Sequence, residues 1–497
     1  MVSPCKLVLV LVFACVSLHA QQIHDHPAPE KLGRVSFPIS CAAQTQVEFN
    51  RGVALLHSFA YSTAGTTFRR IAASDPRCAM AHWGVAMSCF HQMWEPQLVP
   101  ACLPAATLAI ETAQKLGSST SRERGYIQAL SLVFKDAGTV PFSTRDQQYE
   151  QAMAALARNN RDDIEAQVFY ALALLSNASL ADKTYARQKQ ALAILEPLDR
   201  TYPDHPGITH YIIHACDTSE LAPRGLPAAR KYAGIAPSAP HALHMPSHIF
   251  TRLGLWQDSI TSNLAAGKAA REQGDIGEEL HSMDYLVYAY LQLGRYDNAR
   301  QVLEHLDSMK NLLAADFKGS YAATAMPVRF AVEQSQWDSA AKIEPIPGSP
   351  PQVAAIAVWA RGQGHTRGKQ AADASGEIAV LQKFEGELHR AGDDYWATQV
   401  RIMREEVAAW SALANARPTE AETLMRKAAD EEDAMEKSPA TPGPVVPARE
   451  QLGELLLEQH RPSDAVAAFS ASLVNAPGRR GSIEGLSHAA QQSVSEK

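Results

Sequence analysis

Apolar positions recur with a helical period along almost the whole chain, in segments separated by short polar turns. RDDIEAQVFYALALL, RPTEAETLMRKAADEE and RPSDAVAAFSASLVNAP all carry it. Alanine, the strongest helix former, dominates many of these segments. The pattern predicts an all-α protein built from many helices of similar length.

Self-similarity is the first test for such a chain. In VEFNRGVALLHSFAYSTAGTTFRRIAASDP (47–76), counting back from Pro76 in a unit of about 34 residues puts Gly52 at the eighth position. Tyr61 then falls on the seventeenth, Ala64 on the twentieth, Phe68 on the twenty-fourth and Pro76 on the thirty-second. Small residues at such places let two helices cross closely, aromatics fill the gap between them, and proline stops the second helix. LGLWQDSI (253–260), LGRYDNAR (293–300) and SQWDSAAK (335–342) repeat the inter-helix turn with its aromatic and small residues. The expected fold is therefore a right-handed α-solenoid of tetratricopeptide-type helix pairs. Proline-rich breaks at 345–351 and 439–447 divide it softly, into 44–343 and 352–497, the latter ending in a capping helix at 482–491.

Composition changes this picture at the N-terminus. Residues 1–20 hold one charge, Lys6, ahead of an apolar run over 7–18 and a small residue, Ala20, which is the layout of a secretory signal. The run is shorter than the roughly 20 residues a membrane span needs. Lipidation at Cys15 is the alternative, disfavoured by Phe13. The expectation is an exported protein, periplasmic or secreted, with an arm at 21–43 and no transmembrane segment in the mature chain. A net charge of −7 without a long basic run argues against nucleic acid. An exported chain permits disulfides, and Cys41 with Cys78, and Cys89 with Cys102, are the candidate pairs, leaving Cys216.

The richest chemistry lies in residues 203–254. With Pro203 and Pro237 setting the register of two units, His210, His214 and Asp217 fall on groove-facing positions of one first helix. His241, His244 and His248 do so on the next. In the third unit His281 and Asp284 follow. Imidazoles four residues apart share a helix face, and adjacent first helices pack at roughly 8–10 Å. His210 should then neighbour His244, and His214 should neighbour His248. Such a set suits a transition metal ion, with Zn, Cu and Fe all compatible and Asp217 and Asp284 as further ligands or orienting partners. The competing reading is a polar groove for a peptide, protein or carboxylate ligand, to which His281, Asp284, Trp83 and Met87 would contribute. HExxH, G-x-S-x-G, phosphate-cradling glycine loops and CxxC are all missing from the sequence, so an enzymatic activity is not indicated.

SCAAQTQVEFNRGVALLHSFAY (40–61), DPRCAMAHWGVAMS (75–88), HYIIHACD (210–217), HALHMPSHIFTRLGLW (241–256) and GPVVPARE (443–450) together resemble a group of exported bacterial tetratricopeptide-repeat proteins. The resemblance covers most of the mature chain. It implies the fold and the export, directs attention to the histidine segments, and carries no reaction. One departure is Cys216, where members of the group tend to have Tyr or Val; an exposed thiol there would add a soft ligand.

Overall fold

Residues 30–93, 101–309, 312, 317–368 and 373–495 are described by a computed structural model. The expected signal, Cys15 and residues 21–29 of the arm lie outside these residues. Among the described residues the chain is helical, without strands, and each helix packs on the next in sequence. It is an α-solenoid of tetratricopeptide-type helix pairs, with a core that runs as a row of successive hydrophobic clusters, as stacked repeats require.

The spacing of small and aromatic residues has a direct steric cause. A Cβ on Gly52 would lie 2.6 Å from the Phe68 ring and one on Gly84 2.3 Å from it, so the ring is gripped between two glycines of flanking helices. Phe469 is held in the same way near the other end, where Cβ atoms on Gly453 and Gly485 would come within 2.7 and 2.3 Å. Two elements depart from the expected helix pairs, both at prolines. Pro246 splits the expected first helix of its unit into Pro240–His244 and Pro246–Arg252. The helix opened by Trp337 stops after one turn, Trp337–Ala340, ahead of Pro345. The break at 345–351 is bridged by packing of Phe317–Val332 on Pro351–Arg367, and from Lys31 the chain forms one compact unit.

Trp83 and Met87 are not groove residues. Both are buried, and Trp83 packs with Phe37 (5.6 Å), Tyr126 (5.7 Å) and Phe169 (5.9 Å) in an aromatic core. For Trp83 the reason is Phe37, which comes from the segment before the first helix and packs its ring against those of Trp83 and Phe49. Cys41 is bonded to Cys78 and Cys89 to Cys102. Cys216 is not the exposed soft ligand expected of it. Its thiol is buried against Gly225, and burial pushes it up to about 12, so it stays protonated.

The superhelix turns back on itself. Helix Gln46–His57 meets Pro206–Cys216, and Ile276–Gln292 meets Arg480–Ser495. The segment at 436–447 then threads across the concave face. Tyr285 Oη donates to the Thr441 carbonyl (3.0 Å), and Arg329 donates to the carbonyls of Gly443 (2.8 Å) and Pro444 (2.9 Å). Arg329 is itself fixed by Asp284 at 3.0 Å, with both side chains fully buried. Through one carboxylate oxygen Asp284 positions Arg329 for the covering segment, while its other carboxylate oxygen is buried with no hydrogen-bond partner among the described residues.

In the C-terminal part the buried Glu406 carboxyl accepts from Trp359 Nε1 (2.6 Å) and Gln451 Nε2 (2.8 Å). Burial, reinforced by nearby Glu432, holds it well above the ordinary glutamate range, and burial pushes Glu432 up to about 8. The folded pair retains a proton that the unfolded chain releases near 4.5. This contribution is complete below that pH and is lost as pH rises toward about 8, by about 1.4 kcal/mol per pH unit for each proton. Glu406→Gln is expected to flatten the fall. The check is the difference between wild-type and variant denaturation free energies across this window; a constant difference would show that Glu406 is ionised throughout.

Candidate metal centre

Six imidazoles meet where the first helices of three successive units lie side by side. All are buried, His210, His244, His248 and His281 completely. They form two triads, His210–His214–His241 and His244–His248–His281, and within each triad one ligand atom from every residue lies within 4.8 Å of the others. The triads adjoin: ring centroids are 6.1 Å apart for His214 and His248 and 6.0 Å for His241 and His244. His214 and His248 are thus neighbours, whereas His210 sits beside His241, at 5.1 Å. That displaced register follows from the break at Pro246, which separates His244 and His248 onto two short helices. His281, read from the sequence as a groove residue, completes the second triad.

The surrounding groups decide which nitrogen of each ring faces inward. His210 donates Nδ1–H to the His57 carbonyl (2.7 Å), and His241 Nδ1 faces Glu278 (3.2 Å). His248 Nδ1 faces Asp217 (2.9 Å) and His244 Nδ1 faces the Asn263 amide oxygen (2.6 Å). Asn263 is oriented by its own Nδ2, which donates to the Ser259 carbonyl (2.8 Å), so its oxygen must be the acceptor. With Nδ1 of His210, His244 and His248 donating to oxygen and burial keeping these three rings neutral, their Nε2 atoms carry lone pairs. Carboxylates, carbonyls and amides that orient imidazoles in this way are the usual second layer of a metal site.

Two of these lone pairs confront each other. His244 Nε2 and His248 Nε2 are 3.0 Å apart, with both Nδ1–H groups committed elsewhere. Neutral imidazoles so placed repel. Protonation would relieve the repulsion, but burial holds His244 well below the ordinary histidine range and His248 at about 4 despite Asp217. A cation between the nitrogens relieves it without a proton; zinc–nitrogen bonds of about 2.0–2.1 Å in a tetrahedron set the nitrogens roughly 3.3 Å apart.

Asp217 stands behind the ring of nitrogens and does not point into it. Its oxygens are taken by Arg252 Nε (2.9 Å), Lys437 Nζ (2.8 Å) and His248 Nδ1 (2.9 Å), which corrects its placement among the ligands and leaves the orienting role. Burial alone would raise its carboxyl, but Lys437 and Arg252 outweigh it and hold the group well below the ordinary range. Glu278 is similarly held down against burial by Lys318, at 2.6 Å, and His241. Lys437 is brought to about 8 by burial, opposed by Asp217.

A further cluster, His57–Glu165–His205, differs in kind. His57 uses Nε2 on Glu165 (2.7 Å) and Nδ1 on Tyr211 Oη (2.9 Å); His205 uses Nε2 on Glu165 (3.0 Å) and Nδ1 to accept from the Ile208 amide (3.3 Å). Every ring nitrogen is satisfied within the protein, so this cluster is structural; its product is the His57 carbonyl aimed at His210.

Asn263, Glu278 and the covering segment escaped the sequence reading. Asn263 had a visible signal, a polar residue on the small, buried stripe that also holds Ser259, Ala266 and Ala270. The segment had none, because its Pro- and Gly-rich sequence has no period.

No protein-family model matches the chain, and neither does any curated protein. Among solved structures it is similar to the TPR domain of P58(IPK), with 14% identity, a TM-score of 0.21, and coverage of 92% of this chain and 99% of that one. It is similar to yeast Tom70 at 10% identity and a TM-score of 0.35, covering 90% and 88%. Human IFIT1, solved as a dimer with m7Gppp-AAAA, gives 10% identity and 0.36, covering 84% and 90%. These figures assign no function.

Proposed function

We propose that this protein binds a transition metal through the imidazoles buried at the centre of its solenoid. The observation that carries the proposal is the approach of His244 Nε2 to His248 Nε2 at 3.0 Å, with both Nδ1–H groups donating to Asp217 and Asn263. His281 offers a third nitrogen to the same point. Imidazole as the sole ligand type suits Zn, Cu or Fe. The covering segment supports a buried ion over a polymeric ligand here, since Lys437 and Phe59 already occupy the stretch of groove where a peptide would meet the histidines. A peptide or protein partner remains an expectation for the other faces of the array.

The test is elemental analysis of full-length, untagged protein, as purified and after reconstitution with Zn, Cu(II) or Fe(II). Stoichiometric metal is expected, and His244→Asn/His248→Asn should lower it. Metal no higher than in a buffer blank after all three reconstitutions would refute the proposal.

A further inference from the structure

We propose that the two triads hold two ions of unlike character: a closed one on His244–His248–His281, and one on His210–His214–His241 with a coordination position open to exogenous ligands of two or three atoms. This rests on the metal reading above.

The first triad is assembled like the second. His210 is fully buried with Nδ1–H committed to the His57 carbonyl, and its Nε2 has no hydrogen-bond partner. His241 is oriented by Glu278, and one nitrogen from each of the three residues lies within the same 4.8 Å. The Phe59 ring roofs this triad, with its centroid 4.5, 5.5 and 5.4 Å from those of His210, His214 and His241. Phe59 holds that place at φ +54°, a left-handed conformation uncommon for a bulky residue. An apolar roof supplies no fourth ligand, and the Asp217 oxygens are spent.

What lies beside the two triads differs. A cavity of about 40 Å³ reaches His214, bounded by Asp217, Thr218, Gln188, Lys437 and Pro439. No member of the second triad lines it. One water needs roughly 10–15 Å³, so about three or four fit. The second triad is instead packed by Tyr285, whose ring lies 4.8 Å from His244 and 5.1 Å from His248 and whose hydroxyl is spent on the Thr441 carbonyl. Three protein ligands with an adjacent solvent-sized space are the arrangement of an exchangeable, reactive metal; a sealed site is the arrangement of a structural one. The ligand class is set by size: water, dioxygen or a triatomic anion enters, and a peptide or nucleotide does not.

Cobalt(II) reports both occupancy and ligand exchange. Full-length untagged protein reconstituted with Co(II) is expected to hold two ions per chain, and azide should shift part of the visible absorption. His210→Gln/His214→Gln should leave one ion and abolish the azide response; His244→Gln/His248→Gln should leave one ion that still responds. Circular dichroism identifies variants that fold, and the wild-type count does not depend on them. One ion in the wild type would overturn this inference while sparing the metal reading, whereas none would overturn both. Two ions indifferent to azide, or an azide response that survives in folded His210→Gln/His214→Gln, would overturn the open position.

Discussion

Asp217→Asn is expected to lower the stability of the protein by about 3–5 kcal/mol and to weaken its metal binding about 10–100-fold. One carboxylate here compensates two buried cations and orients one imidazole: Arg252 at 2.9 Å, Lys437 at 2.8 Å and His248 Nδ1 at 2.9 Å. An amide of the same shape leaves Lys437 buried without its anion, and that uncompensated charge accounts for most of the stability loss. Arg252 keeps its second partner, Glu436, at 2.9 Å. Lys437→Met separates the two effects, since it spares the Asp217–His248 bond and should leave metal affinity close to wild type. Denaturant melts of the apoprotein and competitive metal titration measure the two quantities. An Asp217→Asn protein that melts with wild type and titrates identically would show that neither role is real.

Arg479→Met should have a stability effect of similar size at the other end of the molecule. The guanidinium is fully buried and forks onto Glu450 through Nε (2.8 Å) and Nη2 (3.0 Å), while Nη1 reaches Glu333 (2.7 Å). It thereby joins the last helix to a carboxylate after Phe317–Val332 and to another on Ala448–Glu458. Removing it leaves two buried carboxylates facing each other without a cation, at an expected loss of about 3–5 kcal/mol. Adding Glu450→Gln should recover part of that loss, because a neutral group no longer needs the arginine. Limited proteolysis gives a second readout: the single variant should be cut faster near 478, where Trp256 Nε1 donates to the Gly478 carbonyl (3.0 Å) in the intact protein. Equal cutting rates and equal melts would mean that the ion pairs contribute nothing net.

How much of this was legible in the sequence depends on the range of each interaction. Gly52, Phe68 and Gly84 announce the repeat because their steric relation lies within neighbouring helices and recurs with the unit. The imidazoles could be placed on one face for the same reason: helical period and repeat register are both local. Their burial could not be inferred, because the groups that close over them come from far along the chain. Lys437 meets Asp217 across 220 positions, and Tyr285 meets Thr441 across 156. Trp83 was misplaced on the same account, since Phe37 arrives from outside the repeat pattern. The sequence offset between His210 and His244 was the wrong guide to neighbours because Pro246 resets the register of its own helix.

The covering segment also fixes the order of events around the histidines. Residues 436–447 belong to the last quarter of the chain and bind over a centre assembled from residues 210–281. An ion must therefore arrive before that segment docks, or wait for it to lift. Once the segment is down, with Glu436 anchored to the Leu180 carbonyl (2.7 Å) and Lys437 to Asp217, escape requires those contacts to break together. Metal residence time then tracks the frequency of a partial opening of the chain, which hydrogen exchange at these amides reports, instead of the intrinsic lability of metal–imidazole bonds.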